Sequence, residues 1–184
     1  MSTANDKIVL GSGKLYTMLF TGTVPTIEDI CKAENRIGYI QGGATMEYTP
    51  SYYEAKDDLG YAVKTIMTEE NAVLKTGIMT FTANTLEKLC ETGRVTEENG
   101  KRTIKIGGIG NATHEKYVVC FHHEDAVDGD IWIMIVGQNQ AGFSLAFAKD
   151  KETVIDAEFK ALPNLDGEGT LIQYIEEIKT AATE

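Results

Sequence analysis

Two stretches of this 184-residue chain hold side chains whose types and spacing could do chemistry. The first is CFHHED, residues 120–125, where Cys120, His122 and His123 are potential zinc ligands beside Glu124 and Asp125. On a strand Cys120 and His122 share a face while His123 points the other way, and no second ligand pair lies elsewhere at zinc-site spacing. The pattern reads as partly exposed histidines at a strand end. His114 is the only other histidine. Composition would allow a Ser-His-Asp or Cys-His set, but no GxSxG or comparable nucleophile setting occurs. No catalytic residue, metal site or cofactor is expected, and the chain reads as a non-enzyme.

The second stretch is KRTIKIGGIGN, residues 101–111, with Gly107, Gly108 and Gly110 close to Lys101, Arg102 and Lys105. A Walker loop needs GxxxxGK[ST] followed by a helix, and a dinucleotide site needs GxGxxG between a strand and a helix. Here neither spacing is met, and the chain runs on toward HEKYVVCF, another strand. The glycines therefore read as backbone devices for a turn, a bulge or a close approach. Gly42 and Gly43 are candidates for the same structural role. The acidic pairs Asp57-Asp58, Glu69-Glu70, Glu97-Glu98 and Glu176-Glu177 are scattered, as solvated surface usually is.

The elements that must position these residues are mostly strands. Eighteen glycines and three prolines punctuate short runs rich in Ile, Val, Thr, Tyr and Phe, a pattern typical of all-β proteins. In VIDAEFKAL, Ile155, Ala157, Phe159 and Ala161 point one way and Asp156, Glu158 and Lys160 the other. GFSLAFA reads as a strand with Phe143, Leu145 and Phe147 on one face and Ser144, Ala146 and Ala148 on the other. IWIMIV, residues 131–136, is apolar on both faces, which suits a central or doubly covered strand. Asn99-Gly100 is the favoured dipeptide of a type I′ hairpin, and Asp128-Gly129-Asp130 reads as the turn into IWIMIV. One helix is expected in NTLEKLCETG: Asn84 as cap, Glu87 at capping-box spacing, Leu86, Leu89 and Cys90 as the apolar stripe, and Gly93 at the end. TLIQYIEEI fits helical and alternating spacing, and the strand reading is favoured. Residues 48–63 show no strand pattern. With Tyr52, Tyr53 and Tyr61 around Glu54, Lys56, Asp57 and Asp58, they read as a long extended loop that contacts a neighbouring subunit or ring.

Composition bounds the function. The formal charge of −11, from 17 cations and 28 anions, argues against a nucleic-acid binder, which neutralises phosphates with clustered cations. Three cysteines at wide spacing fit neither a disulfide framework nor a CxxC metal pattern. No signal-peptide pattern and no apolar run of membrane-spanning length is seen. The expectation is a reduced, cytoplasmically made single domain over 1–184, with flexible ends at about 1–6 and 179–184 and no membrane contact.

The order of GSGKLY, IGYIQGGATMEYTPSYYEAKDDLG, KTGIMTF with NTLEKLC, KIGGIGN and GQNQAGFSLAFAKDKETVIDAEFKAL resembles the major tail tube proteins of tailed bacteriophages and prophages, over roughly residues 8–178. The resemblance implies a mainly β fold, a β-sandwich or half-barrel with one short flanking α-helix. It further implies self-assembly into stacked hexameric rings that form a tube for DNA passage. The implied location is the virion tail, assembled in the bacterial cytoplasm with tape-measure, terminator and baseplate proteins as partners. DNA would pass without specific binding, and the acidic excess suits such a conduit. The alternative is a stand-alone ligand- or carbohydrate-binding β-sandwich, with Tyr52, Tyr53 and Trp132 as an aromatic platform. A weaker alternative is a metal-assisted hydrolase at CFHHED.

Overall fold

The computed structural model describes residues 9–179. The terminal segments expected to be flexible lie, Lys179 apart, outside the described residues. Ten strands form: β1 (Lys14–Leu19), β2 (Arg36–Gly38), β3 (Ile40–Lys56), β4 (Ala62–Ile78), β5 (Arg94–Glu98), β6 (Lys101–Lys105), β7 (Tyr117–His123), β8 (Ile131–Asn139), β9 (Ile155–Leu162) and β10 (Gln173–Glu176). Two short helices, α1 (Ile27–Ile30) and α2 (Ala83–Lys88), complete a mainly β fold consistent with a β-sandwich. Eight strands make one antiparallel sheet in the order β2-β1-β7-β8-β9-β4-β3, with β10 also on β8; β5 and β6 pair by themselves.

The sheet divides along β8. One edge of β8 carries β7 from Ile131 to Gly137, while the other carries β10 at Ile131–Met134 and then β9 at Val136–Asn139. One strand therefore feeds two sheet halves, which lets the sheet fold over and bury two separate apolar faces. The larger core gathers Leu15, Leu74, Ile78, Phe121, Ile135, Ile155 and Phe159, with Leu86 and Leu89 of the α2 region laid against it. The smaller one, on the other face of β1, β7 and β8, holds Tyr16, Ile30, Val118, Cys120, Met134 and Val136. IWIMIV is thus covered on both faces, as its unbroken apolar run requires.

Local chemistry explains most element boundaries. β9 buries Ile155, Ala157, Phe159 and Ala161 and exposes Asp156 and Glu158. The β5–β6 turn has Asn99 and Gly100 at φ 53° and 73°, the paired positive φ of a type I′ turn. At the β7–β8 turn Gly129 takes φ 95°, and the Asp125 carboxylate accepts the backbone N–H groups of Val127 and Asp128. TLIQYIEEI supplies β10 as a strand.

Three expectations need correction. The helix starts earlier than Asn84: Thr82 is the N-cap and exchanges hydrogen bonds with Thr85, so two hydroxyls replace the Asn84/Glu87 box. The apolar stripe survives, because Leu86 and Leu89 are both buried. GFSLAFA forms no strand. Phe143 and Leu145 do pack on the larger core, but Phe147 is 80% exposed, since the ladder positions beside β8, β9 and β4 are filled by one another. Third, residues 48–63 are not an irregular loop. They are the outer part of β3, a tight turn and the start of β4, so the expected extended excursion exists as a β-hairpin.

Candidate functional site

The β3–β4 hairpin is the candidate site. Its inner half belongs to the sheet, where Val73–Ile78 of β4 pair with β9. Outward from Ala72 neither strand has a second neighbour, and β3 is a free edge along all 17 residues. At roughly 3.3 Å per residue this arm projects about 30 Å. Its ladder runs from Tyr48↔Ala72 through Pro50↔Glu70 and Tyr52↔Met67 to Lys56↔Ala62, with register shifts at Ser51/Tyr52 and Ala55/Lys56. Directly paired residues share a face. The face that begins in the core with Leu74 and Met46 therefore continues outward through Tyr48, Tyr52 and Met67, and the opposite face carries Tyr53 and Ile66.

These side chains stand in solvent: Tyr52 is 59% exposed, Tyr53 60% and Met67 48%. Tyr48 donates to Glu70 Oε1 at 2.5 Å, which raises its hydroxyl pKa, and its oxygen lies 3.9 Å from Met67 Sδ. Glu54 pairs with Lys56 at 3.1 Å, and Glu47 with Lys75 at 2.8 Å. Such exposed pairs contribute little stability. At the tip, Asp57 Oδ1 accepts the N–H groups of Leu59 and Tyr61, while Asp58 is exposed. The structure thus brings Tyr52, Tyr53, Glu54, Lys56, Asp57, Asp58 and Tyr61 together on one arm. Tyr48, Ile66 and Met67 belong with them and were missed. Aligning YTPSYYEAK against AVKTIMTEE across a KDDLG turn would have revealed them.

Gly42 and Gly43, at φ 80° and 75°, lie in the register shift between Gln41 and Ala44 that bends β3 at the base of the arm. Beside them an open groove of about 650 Å³ is lined by Gln41, Gly43, Lys75, Gly77, Glu152 and Asp156, among others. Charges of both signs line it, and they converge on no single point.

His122 and His123 are buried, contrary to the expectation of partial exposure. His122 Nε2 lies 2.8 Å from Asp130 Oδ2, and its ring stacks on Trp132 at 5.0 Å between centroids. His123 Nδ1 lies 2.8 Å from the carbonyl oxygen of Ser12 on the opposite side of the strand. The other carboxylate oxygen of Asp130 accepts the Asp125 N–H. Burial works against the Asp130 carboxylate, but the His122 and Asp125 bonds hold it below its usual range. These groups tie down the β7–β8 turn. Burial pushes the Cys120 thiol well above its normal range, away from thiolate chemistry. Among the described residues no three His, Cys, Asp or Glu side chains are grouped to hold a metal ion, and no helix is long and apolar enough to cross a membrane.

The glycine run ends in a single 3-10 turn, Ile109–Asn111, before β7. Gly107 and Gly108 have φ 116° and 82°, whereas Gly110 has neither a positive φ nor a near neighbour. The first two glycines are demanded by the backbone; the third is not. No family model matches the chain, and no curated protein is significantly similar to it.

Proposed function

We propose that the chain is a structural subunit that polymerises through its β3–β4 arm, in the manner of a phage tail tube: hexameric rings stacked into a conduit for DNA. The observation that carries this reading is the arm itself. A two-stranded ribbon is marginal in water, and a long unprotected edge strand invites pairing with another chain. This one adds exposed Tyr52, Tyr53, Ile66 and Met67 on both faces. Such a combination is stable in use when a second copy covers it. Because the arm and the surface it meets are different parts of the same chain, contacts of this kind repeat around a ring or along a filament.

Two further features support the conduit. The resemblance to tail tube proteins supplies the ring and the virion tail as its setting. The chain's −11 charge would repel a phosphate backbone rather than hold it. The alternative of a ligand-binding module loses its expected platform, since Tyr52 and Tyr53 lie on opposite faces of the arm and Trp132 stacks on His122. Its remaining candidate is the groove beside Gly43. Electron microscopy of the concentrated protein tests the proposal: rings or tubes are expected, and particles that stay single, with or without tail initiator proteins, would refute it.

A further inference from the structure

The loop after β6 is rigid and displays an apolar side chain that the monomer does not use. Gly107 N–H donates to Thr92 Oγ1 at 3.1 Å, and the Gly107 carbonyl accepts from Arg94 Nη2 at 3.3 Å and Asn111 Nδ2 at 3.2 Å. Asn111 N–H closes the turn on the Gly108 carbonyl at 2.8 Å. The product of this bracing is Ile109, 94% exposed. A preorganised loop loses little freedom when it docks. Next to it, Arg94 and Lys105 stand directly opposite each other across the β5–β6 ladder, both exposed. Like charges in that position are destabilising. Lys101 extends the same face, with Glu98 opposite it, and neither lysine has an ion pair among the described residues. On a chain at −11 this is a local cationic face with an isoleucine at its base.

We infer that this face, Ile109 flanked by Arg94 and Lys105, docks on the acidic, aromatic arm of a second copy of this chain. The arm offers the complement on one face: exposed Tyr52 and Met67 for the isoleucine, and the carboxylates of Glu54 and Glu70 for the cations. Within one chain β5 and β6 pack on each other and on α2, so the cationic face is free for another molecule. The inference rests on the assembly reading and specifies what the arm meets. It also gives the glycine run a use: Gly107 and Gly108 shape the loop that holds Ile109 out.

The test compares Ile109→Asp, Lys105→Glu and Tyr52→Ser with the wild type by light scattering and electron microscopy, with circular dichroism to show that each is folded. The expected result is that I109D and K105E each raise the concentration needed for assembly about tenfold or more. Mixing K105E with Glu54→Lys should recover part of the loss, and Ile109→Cys with Met67→Cys should give inter-chain disulfides under a mild thiol oxidant such as diamide. If Y52S abolishes assembly while I109D and K105E assemble like the wild type, this contact is wrong and the assembly reading stands. A wild type that stays monomeric to about millimolar concentration overturns both. Saturable duplex-DNA binding that Arg94→Glu and K105E remove would instead make the face a phosphate site and overturn the inference.

Discussion

The β7–β8 pair and the β3–β4 arm are both long antiparallel hairpins, yet they live in opposite environments. Val118, Val119, Ile135 and Val136 are fully buried, with one core on each side of the sheet. Eleven residues along the chain from the core, Tyr61 is 71% exposed and Ile66 47%. Both are paired along their length, β7–β8 in one unbroken register and β3–β4 through three register shifts. What differs most is cover: strand pairing in the arm is complete without the burial that surrounds β7 and β8. The first hairpin lies between the two cores of the fold; the second leaves its apolar side chains in solvent.

The sharpest way to break that contrast is to cut into the covered half. Phe159→Ala removes a fully buried ring from the larger core and should cost about 3–5 kcal/mol in chemical denaturation. A loss under about 1 kcal/mol would mean that the two halves are not differently supported. Next in size is Gly108→Val, which forces a β-branched residue to φ 82° and drives its Cβ to 2.5 Å from Asn111 Nδ2. A loss of roughly 1–3 kcal/mol is expected, with no nucleotide effect by calorimetry.

Asp130→Asn loosens the turn that closes the covered hairpin and should cost about 1 kcal/mol at neutral pH. Because the folded Asp130 carboxyl titrates below its usual range, its contribution is full above the unfolded value of about 3.9 and fades as pH falls through the lower folded value. The gap between wild type and D130N should therefore narrow in acid; a constant gap from pH 7 to strongly acidic solution would place the effect elsewhere. The smallest effect belongs to the arm. Tyr52→Ser should change monomer stability by under about 0.5 kcal/mol while abolishing assembly. Amide exchange should be fast for the outer arm in the lone subunit and slow in the polymer. Slow exchange in both states would show that the arm is already stabilised alone.

Much of the covered half could be read from residue order. IWIMIV announced a strand buried on both faces, VIDAEFKAL one with a wet face, and Asn99-Gly100 the turn of its hairpin, because side-chain alternation and turn dihedrals are local properties. The arm was read as a loop for the same reason. YTPSYYEAK contains a proline, both charges and three tyrosines, and only its pairing with AVKTIMTEE turns it into a strand. CFHHED shows the converse, since its place at a strand end suggests partly exposed histidines while the fold encloses both His122 and His123.

By itself, then, the order of residues determined the β class, the faces of β8 and β9, the apolar stripe of α2 and the acidic charge, all of which depend on neighbours within a few positions. Only the tertiary structure decided that β8 carries two sheet halves, that residues 48–56 find a partner in 62–72, that His122 and His123 lie inside and that Ile109 stands out. Those facts depend on which distant segments cover one another, and burial is a property of the neighbour as much as of the residue that it hides.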